Sequence, residues 1–237
     1  MGLTKNTIYK IVAGMLPDVE DDAAIVRPAL HVEVIDRLRD MIAEGLLVAG
    51  ERINERMLCE RFGISRTPLR EALLVLQGEG LITLSPRKGA YVTKMSLDQI
   101  RDILELIGGL EAVAAKFTCE RATAKEVDQI EASHIAMVDL FRRGNMLDYF
   151  KVNERIHLAI VAASGNAELA RVHSTMRRRV MRALYSPLIK PERWRQSIVE
   201  HEEFIVALKA RNGARLGKLL TNHALKTWDE VRKNGYK

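Results

Sequence analysis

The sequence predicts a mainly α protein in two parts: a small module of short helices closed by a hairpin, then an antiparallel bundle of six helices. Three observations lead there. Two short helical patterns meet at a glycine in the stretch that begins at Asn54, and two apolar strand-like runs follow directly. Beyond residue 95 the only periodicity is helical, with breaks at Gly144-Asn145, Gly165-Asn166, Pro187 with Pro191, and Asn212-Gly213. A chain of 237 residues is long enough for one large domain or two ordinary ones, and no apolar run approaches the ~18 residues of a membrane span.

Each element has a local reason. Within an amino-terminal extension, residues 1–27, Ile8, Ile11, Val12, Met15 and Leu16 share one helical face, and an acidic stretch from Pro17 to Asp22 follows. The extension reads as a short packing helix and a link. The next helix runs from about Pro28 to Glu44, with Leu30, Val34, Leu38, Met41 and Ile42 inward. After the turn through Gly45 and Gly50, Asn54 is placed to cap a helix over Glu55–Phe62, and Gly63 supplies the turn that ends it. Ser65 is placed to cap the following helix, whose Leu69, Ala72, Leu73 and Leu76 recur at i, i+3, i+4 and i+7. Pro68 falls in its first turn, where the missing N–H breaks no intrahelical bond.

Arg66, Thr67 and Arg70 then face outward at the helix N-terminus, the end that a helix-turn-helix inserts into the major groove. Arginine can reach guanine with two hydrogen bonds or hold a phosphate, and hydroxyls do lighter versions of both. After Gly80, the runs Leu81–Leu84 and Ala90–Val92 are joined through Ser85-Pro86-Arg87-Lys88-Gly89, a hairpin with a basic tip. Residues 28–94 are therefore expected to form an N-terminal winged helix-turn-helix.

Residues 95–237 read as helix throughout. Ser96 with Gln99 and Thr123 with Glu126 are capping-box starts. Helices are expected over about 96–119, 123–142, 146–163, 167–186, 191–211 and 213–233, joined by short loops into an antiparallel bundle.

The formal charge of +6 does not locate a DNA surface, because residues 30–94 carry a net of only +1 and residues 95–237 carry +6. The local cluster at the second helix and wing does, and phosphate contacts there would make affinity salt-dependent. Much of the remaining excess sits in Arg177-Arg178-Arg179 with Arg182, which reads as a solvated helix face or, alternatively, as an anion site. Two cysteines, Cys59 and Cys119, lie in different helical segments and are expected as reduced thiols. The start MGLTKNTIYK lacks the apolar region and cleavage site of a secretory signal, and a cytoplasmic location is expected.

Polar residues interrupt the apolar stripes of the helical half. Asn153 and His157 share a stripe with Phe150, Ile160 and Val161; His201 lies with Ile198, Ile205 and Leu208, and His223 with Leu216, Leu219 and Leu220. Three imidazoles and an amide oxygen from three helices could hold a divalent metal with positions open to a ligand. However, His134 and His173 lie on similar stripes, so periodicity alone does not pick a ligand set.

The stretch SRTPLREAL, with an acidic-apolar helix before it and EGLI and RKGAYV after it, closely resembles the winged helix-turn-helix of GntR-family bacterial transcription regulators. The resemblance implies DNA contacts at Arg56, Ser65, Arg66, Thr67 and Arg70 and at the wing residues Lys88 and Gly89; Met57 departs from the more polar residue usual there. Residues 96–233 resemble the all-helical (FCD-type) effector-binding domain of the FadR-type subgroup. NERIH, VEHEEFIVAL and LLTNHALKTW match its metal-binding segments, which implies Asn153, His157, His201 and His223 as ligands. Asn in place of Asp removes one negative charge and lowers the expected metal affinity. The arginine that often precedes Leu-Glu in the first helix of this domain is absent: the region reads ELIGGLEAVAAKF, around Leu110-Glu111. An effector carboxylate is then expected to draw its cation from Arg178 or Arg182 and from the metal.

These readings converge on a homodimeric, ligand-controlled regulator of double-stranded operator DNA. It is not expected to be an enzyme. Its expected cofactor is a divalent ion (Zn²⁺, Ni²⁺ or Mn²⁺) and its expected effector a small carboxylate. A metal-dependent hydrolase and an architectural DNA-binding protein without an effector are the alternatives.

Overall fold

The structure, a computed structural model, describes residues 28–184 and 191–234. The expected amino-terminal helix lies outside the described residues, as does the side chain of Arg182.

Helix α1 (Pro28–Ala43) buries Val34, Ile35, Leu38, Met41 and Ile42, whereas Leu30, expected inward, is exposed. Helix α2 (Glu55–Phe62) is capped by the Asn54 side chain, which accepts from the Met57 N–H, and ends at Gly63 in the left-handed region (φ 65°). Helix α3 (Arg66–Gly78) buries Leu69, Ala72, Leu73 and Leu76. Ser65 stands at its N-cap position with extended backbone, but its hydroxyl makes no capping hydrogen bond. That corrects the expectation of a side-chain cap and leaves the hydroxyl free at the surface.

Strands β1 (Ile82–Ser85) and β2 (Gly89–Val92) pair antiparallel from Ile82 with Val92 to Ser85 with Gly89. The tip is tighter than the sequence suggests, because Ser85 and Gly89 themselves pair. Arg87 (φ 63°) and Gly89 (φ 98°) make this turn. The helices and strands share one core around Leu38, Leu58, Leu73 and Ile82.

Six helices follow: α4 (Leu97–Arg121), α5 (Ala124–Arg142), α6 (Met146–Ala162), α7 (Ala167–Leu184), α8 (Pro191–Lys209) and α9 (Gly213–Asn234). Both expected capping boxes are formed, with Ser96 to Gln99 starting α4 and Thr123 to Glu126 starting α5. The first and last helices of this half cross very closely. A Cβ on Gly213 would come within 2.9 Å of the Lys116 Cα, and one on Gly217 within 3.2 Å of the Ala112 carbonyl oxygen. This small-residue seam joins α4 to α9 and so fixes where their buried polar residues, Glu111 and His223, point. The main bundle core runs through Ile130, Met137, Tyr149, Ile156, Phe204 and Leu220. Cys59 and Cys119 are free thiols.

Candidate functional site

The N-terminal end of α3 carries exposed Arg66, Thr67 and Arg70. Arg70 Nε lies 3.2 Å from Glu55 Oε2, while Arg56 is only loosely paired with Glu60 at 3.8 Å. Arg52, Arg56, Arg66 and Arg70 border one open hollow of about 530 Å³ together with Asn54 and Glu55. Lys88 is exposed at the hairpin tip, and Gly89 packs against Arg52: a Cβ there would sit 3.2 Å from the Arg52 Nε. Arg52 was not anticipated from sequence. It lies in an irregular loop, and its bridge to Tyr91, flanked by the backbone hydrogen bonds of Glu51 with Val92 and Ile53 with Ala90, brings it to the wing.

A second constellation lies inside the bundle. One potential ligand atom from each of His157 on α6, His201 on α8 and His223 on α9 lies within 4.8 Å of the others. Ring centroids are 5.0 Å apart for His157–His201 and 5.1 Å for both other pairs. All three rings are buried. His157 Nδ1 donates to Glu111 Oε1 over 3.0 Å, which leaves Nε2 without a partner. His223 Nδ1 donates to Glu200 Oε2 over 2.6 Å. Among the described residues, both ring nitrogens of His201 and the buried Asn153 Oδ1 have no hydrogen-bond partner.

Glu111 is the hub of a wider network. Its Oε1 also accepts from His173 Nε2 at 2.9 Å, and Arg177 Nη1 lies 3.5 Å away. Arg177 in turn grips Glu154 with Nε and Nη2. Burial alone would raise the Glu111 carboxyl, but the facing imidazoles and the Arg177 guanidinium hold it well below the usual carboxylate range. Glu200 follows the same logic: burial opposes ionisation, yet His223, Arg193 and Lys226 bring it to about 2. Burial lowers the three clustered histidines as well, His201 further through its imidazole neighbours and His223 to about 4. The rings are therefore neutral at ordinary pH, the state a metal requires of imidazole.

The other two histidines separate from this set. His134 Nε2 meets Glu202 Oε2 at 2.8 Å, and His173 spends its Nε2 on Glu111. Glu111 and Glu200 were missed in the sequence reading. The available signal was a carboxylate at position 111 on the stripe of Ile100, Ile103, Ile107 and Ala114. A cavity of about 50 Å³ beside the histidines is lined by Asn153, His223, Arg177, Arg193, Tyr149 and Trp194, among others. Arg178 does not reach it, which corrects the expectation that it faces an effector there. It follows Arg177 by one residue on α7, so it projects from a different side of the helix, and its Nε lies 3.4 Å from Glu79 Oε2 at the end of α3.

Residues 30–92 match the family described as bacterial regulatory proteins, gntR family, and residues 102–226 match the FCD domain. The chain belongs to the GntR family of bacterial transcription regulators. This GntR regulator is 32% identical over 164 residues to the Nta operon transcriptional regulator of Aminobacter aminovorans, covering 66% of this chain and 71% of that protein. It is 25% identical to the HTH-type transcriptional repressor RspR of Escherichia coli K12, covering 82% and 86% of the two chains. Its fold is that of E. coli McbR/YncC, with a TM-score of 0.79 at 23% identity, covering 87% of this chain and 99% of that one. The GntR regulator thus joins a gntR-type head to an FCD domain. No helix among its described residues is long and apolar enough to cross a membrane.

Proposed function

We propose that this protein binds double-stranded operator DNA as a homodimer. Residues 28–94 form its reading head, and the helical unit of residues 95–237 senses a divalent metal and a small carboxylate effector and dimerises. Operator contacts are assigned to Arg56, Ser65, Arg66, Thr67, Arg70, Lys88 and Gly89, with Arg52 added at the base of the wing. One observation carries the sensing role. Among the described residues, three buried ring nitrogens, Nε2 of His157 and both of His201, lack hydrogen-bond partners, while Glu111 and Glu200 pin the rings of His157 and His223. Buried polar atoms without partners are costly, and carboxylate-oriented imidazoles are the usual surroundings of a bound metal.

Asn153, His157, His201 and His223 would hold the ion. Zn²⁺ and Ni²⁺ suit the imidazoles, with Mn²⁺ the third candidate. When bound, the ion supplies positive charge for an effector carboxylate in the adjoining cavity. Arg193 lines that cavity and has a buried Nε without a partner, which makes it the cation best placed to join. A hydrolase reading is disfavoured because Glu200, through both oxygens, and Glu111, through Oε1, are engaged by cations and imidazoles.

The test compares His201→Ala with His134→Ala for metal content and for operator affinity with and without effector. His201→Ala is expected to lose both metal and response, and His134→Ala to keep both. Equal metal content and equal response in the two variants would make the clustered histidines packing residues.

A further inference from the structure

The arginine run on α7 leads away from the histidine cluster. Arg177 turns inward to Glu154 and Glu111, but Arg178 and Arg179 line a separate cavity of about 160 Å³ between the DNA head and the bundle. About 10–15 Å³ of such volume admits one water, so this space has room for a small anion. Arg39 and the exposed Asp40 of α1, Gly80, Leu81 and Thr93 of the head, and Met95 just beyond it are among its other walls.

Among the described residues, two of the three guanidinium groups here, those of Arg178 and Arg179, are not fully satisfied by the protein. Arg39 is spent: its Nε and Nη2 take the two oxygens of Glu79, and its Nη1 takes Asp36. Arg178 Nε stands 3.4 Å from Glu79 but is not aligned to hydrogen-bond, and Arg178 Nη2 reaches only the Thr175 hydroxyl, at 3.3 Å. Among the described residues, Arg179 has a 3.9 Å contact from Nη1 to the Met176 sulfur and no carboxylate partner. The Nε atoms of both Arg178 and Arg179 are buried without an acceptor among the described residues. Asp36 and Asp40 are exposed, where water screens them, so among the described residues the mostly covered Glu79 is the carboxylate that faces Arg39 and Arg178. Backbone shape maintains the arrangement. A Cβ on Gly80 (φ +76°) would lie 3.1 Å from the Arg179 Nε, so the missing side chain lets the guanidinium lie against the turn after α3.

We propose that this interdomain cavity is a second anion site, distinct from the histidine cluster. It binds a small oxyanion, a free phosphate or a small carboxylate, through Arg178 and Arg179. The planar guanidinium fork matches both oxyanions. Held there, the anion bridges α7 to the end of the recognition helix and fixes the angle of the DNA head on the bundle.

The experiment titrates metal-stripped, full-length protein with inorganic phosphate and, separately, with acetate by isothermal calorimetry. It uses the wild type, His201→Ala and the double variant Arg178→Gln/Arg179→Gln. Phosphate or acetate is expected to bind wild type and His201→Ala equally and the double variant at least about tenfold more weakly. Whichever anion shows that pattern identifies the source. Should the double variant fail to fold, Arg179→Lys, which keeps the charge and loses the fork, is expected to weaken binding about severalfold. The proposal is overturned if neither anion binds the wild type, if the arginine substitutions leave binding unchanged, or if His201→Ala abolishes it.

Discussion

Replacing Glu111 with Gln separates the charge of the buried hub from its shape. The wild-type carboxylate, 1% exposed, accepts from His157 and His173 through Oε1 and faces Arg177. Gln keeps an oxygen that can accept from His157 but removes the negative charge that orients the ring and raises its basicity. It also places an NH₂ beside Oε2's position, where no partner stands. Loss of such an orienting partner typically weakens metal binding ~10–100-fold, which is about 1.4–2.7 kcal/mol. Arg177 keeps its two-pronged hold on Glu154, so the fold should survive. The assay is competition for Zn²⁺ against a chromophoric chelator, with circular dichroism to check folding. Glu202→Gln is the control, because Glu202 touches His134 and not the clustered rings. Equal Zn²⁺ affinity for wild type and a folded Glu111→Gln would refute the claim that Glu111 orients a metal ligand.

Three further outcomes follow from the same structure. Gly213→Ala drives a Cβ against the Lys116 backbone, which cannot withdraw, and should destabilise the protein by about 1–3 kcal/mol, measured as a fall in the urea midpoint. Metal-free protein should lose stability as pH falls from 6.5 towards 4. Over that window the unfolded chain protonates His223 and the native state, with His223 held at about 4, does not. That histidine alone contributes about 3 kcal/mol, and His157 and His201 act in the same direction; an unchanged midpoint between pH 7.5 and 5 would contradict it. At the DNA face, Arg66→Ala should weaken specific operator binding by about 1–3 kcal/mol, whereas Lys88→Ala should weaken all sequences alike and flatten the salt dependence, both read by fluorescence anisotropy.

Much of the fold was legible because its signals are local. Asn54, Gly63, the Ser96 and Thr123 capping boxes and the stripe Leu69, Ala72, Leu73, Leu76 each act within a few residues, and the elements form where those signals stand. The Ser65 hydroxyl is the exception, since a suitable residue at the right position need not turn its side chain to the helix.

The sequence by itself determined most of the buried helix faces and the histidines that lie on them, but not the burial of Glu111, Glu200 or Arg177. It could not determine what those faces meet. Five histidines were equivalent by periodicity, and family resemblance alone singled out three. Tertiary packing brings His157, His201 and His223 together, sets Glu111 and Glu200 behind two of them, and sends His134 to Glu202. It also parts Arg177 from Arg178 and Arg179, adjacent residues that serve opposite sides of α7. The physical reason is that periodicity fixes only the angle of a side chain about its own helix axis. Its partners depend on how helices cross, and here that crossing rests on backbone contacts such as Gly213 against Lys116, which no local pattern encodes.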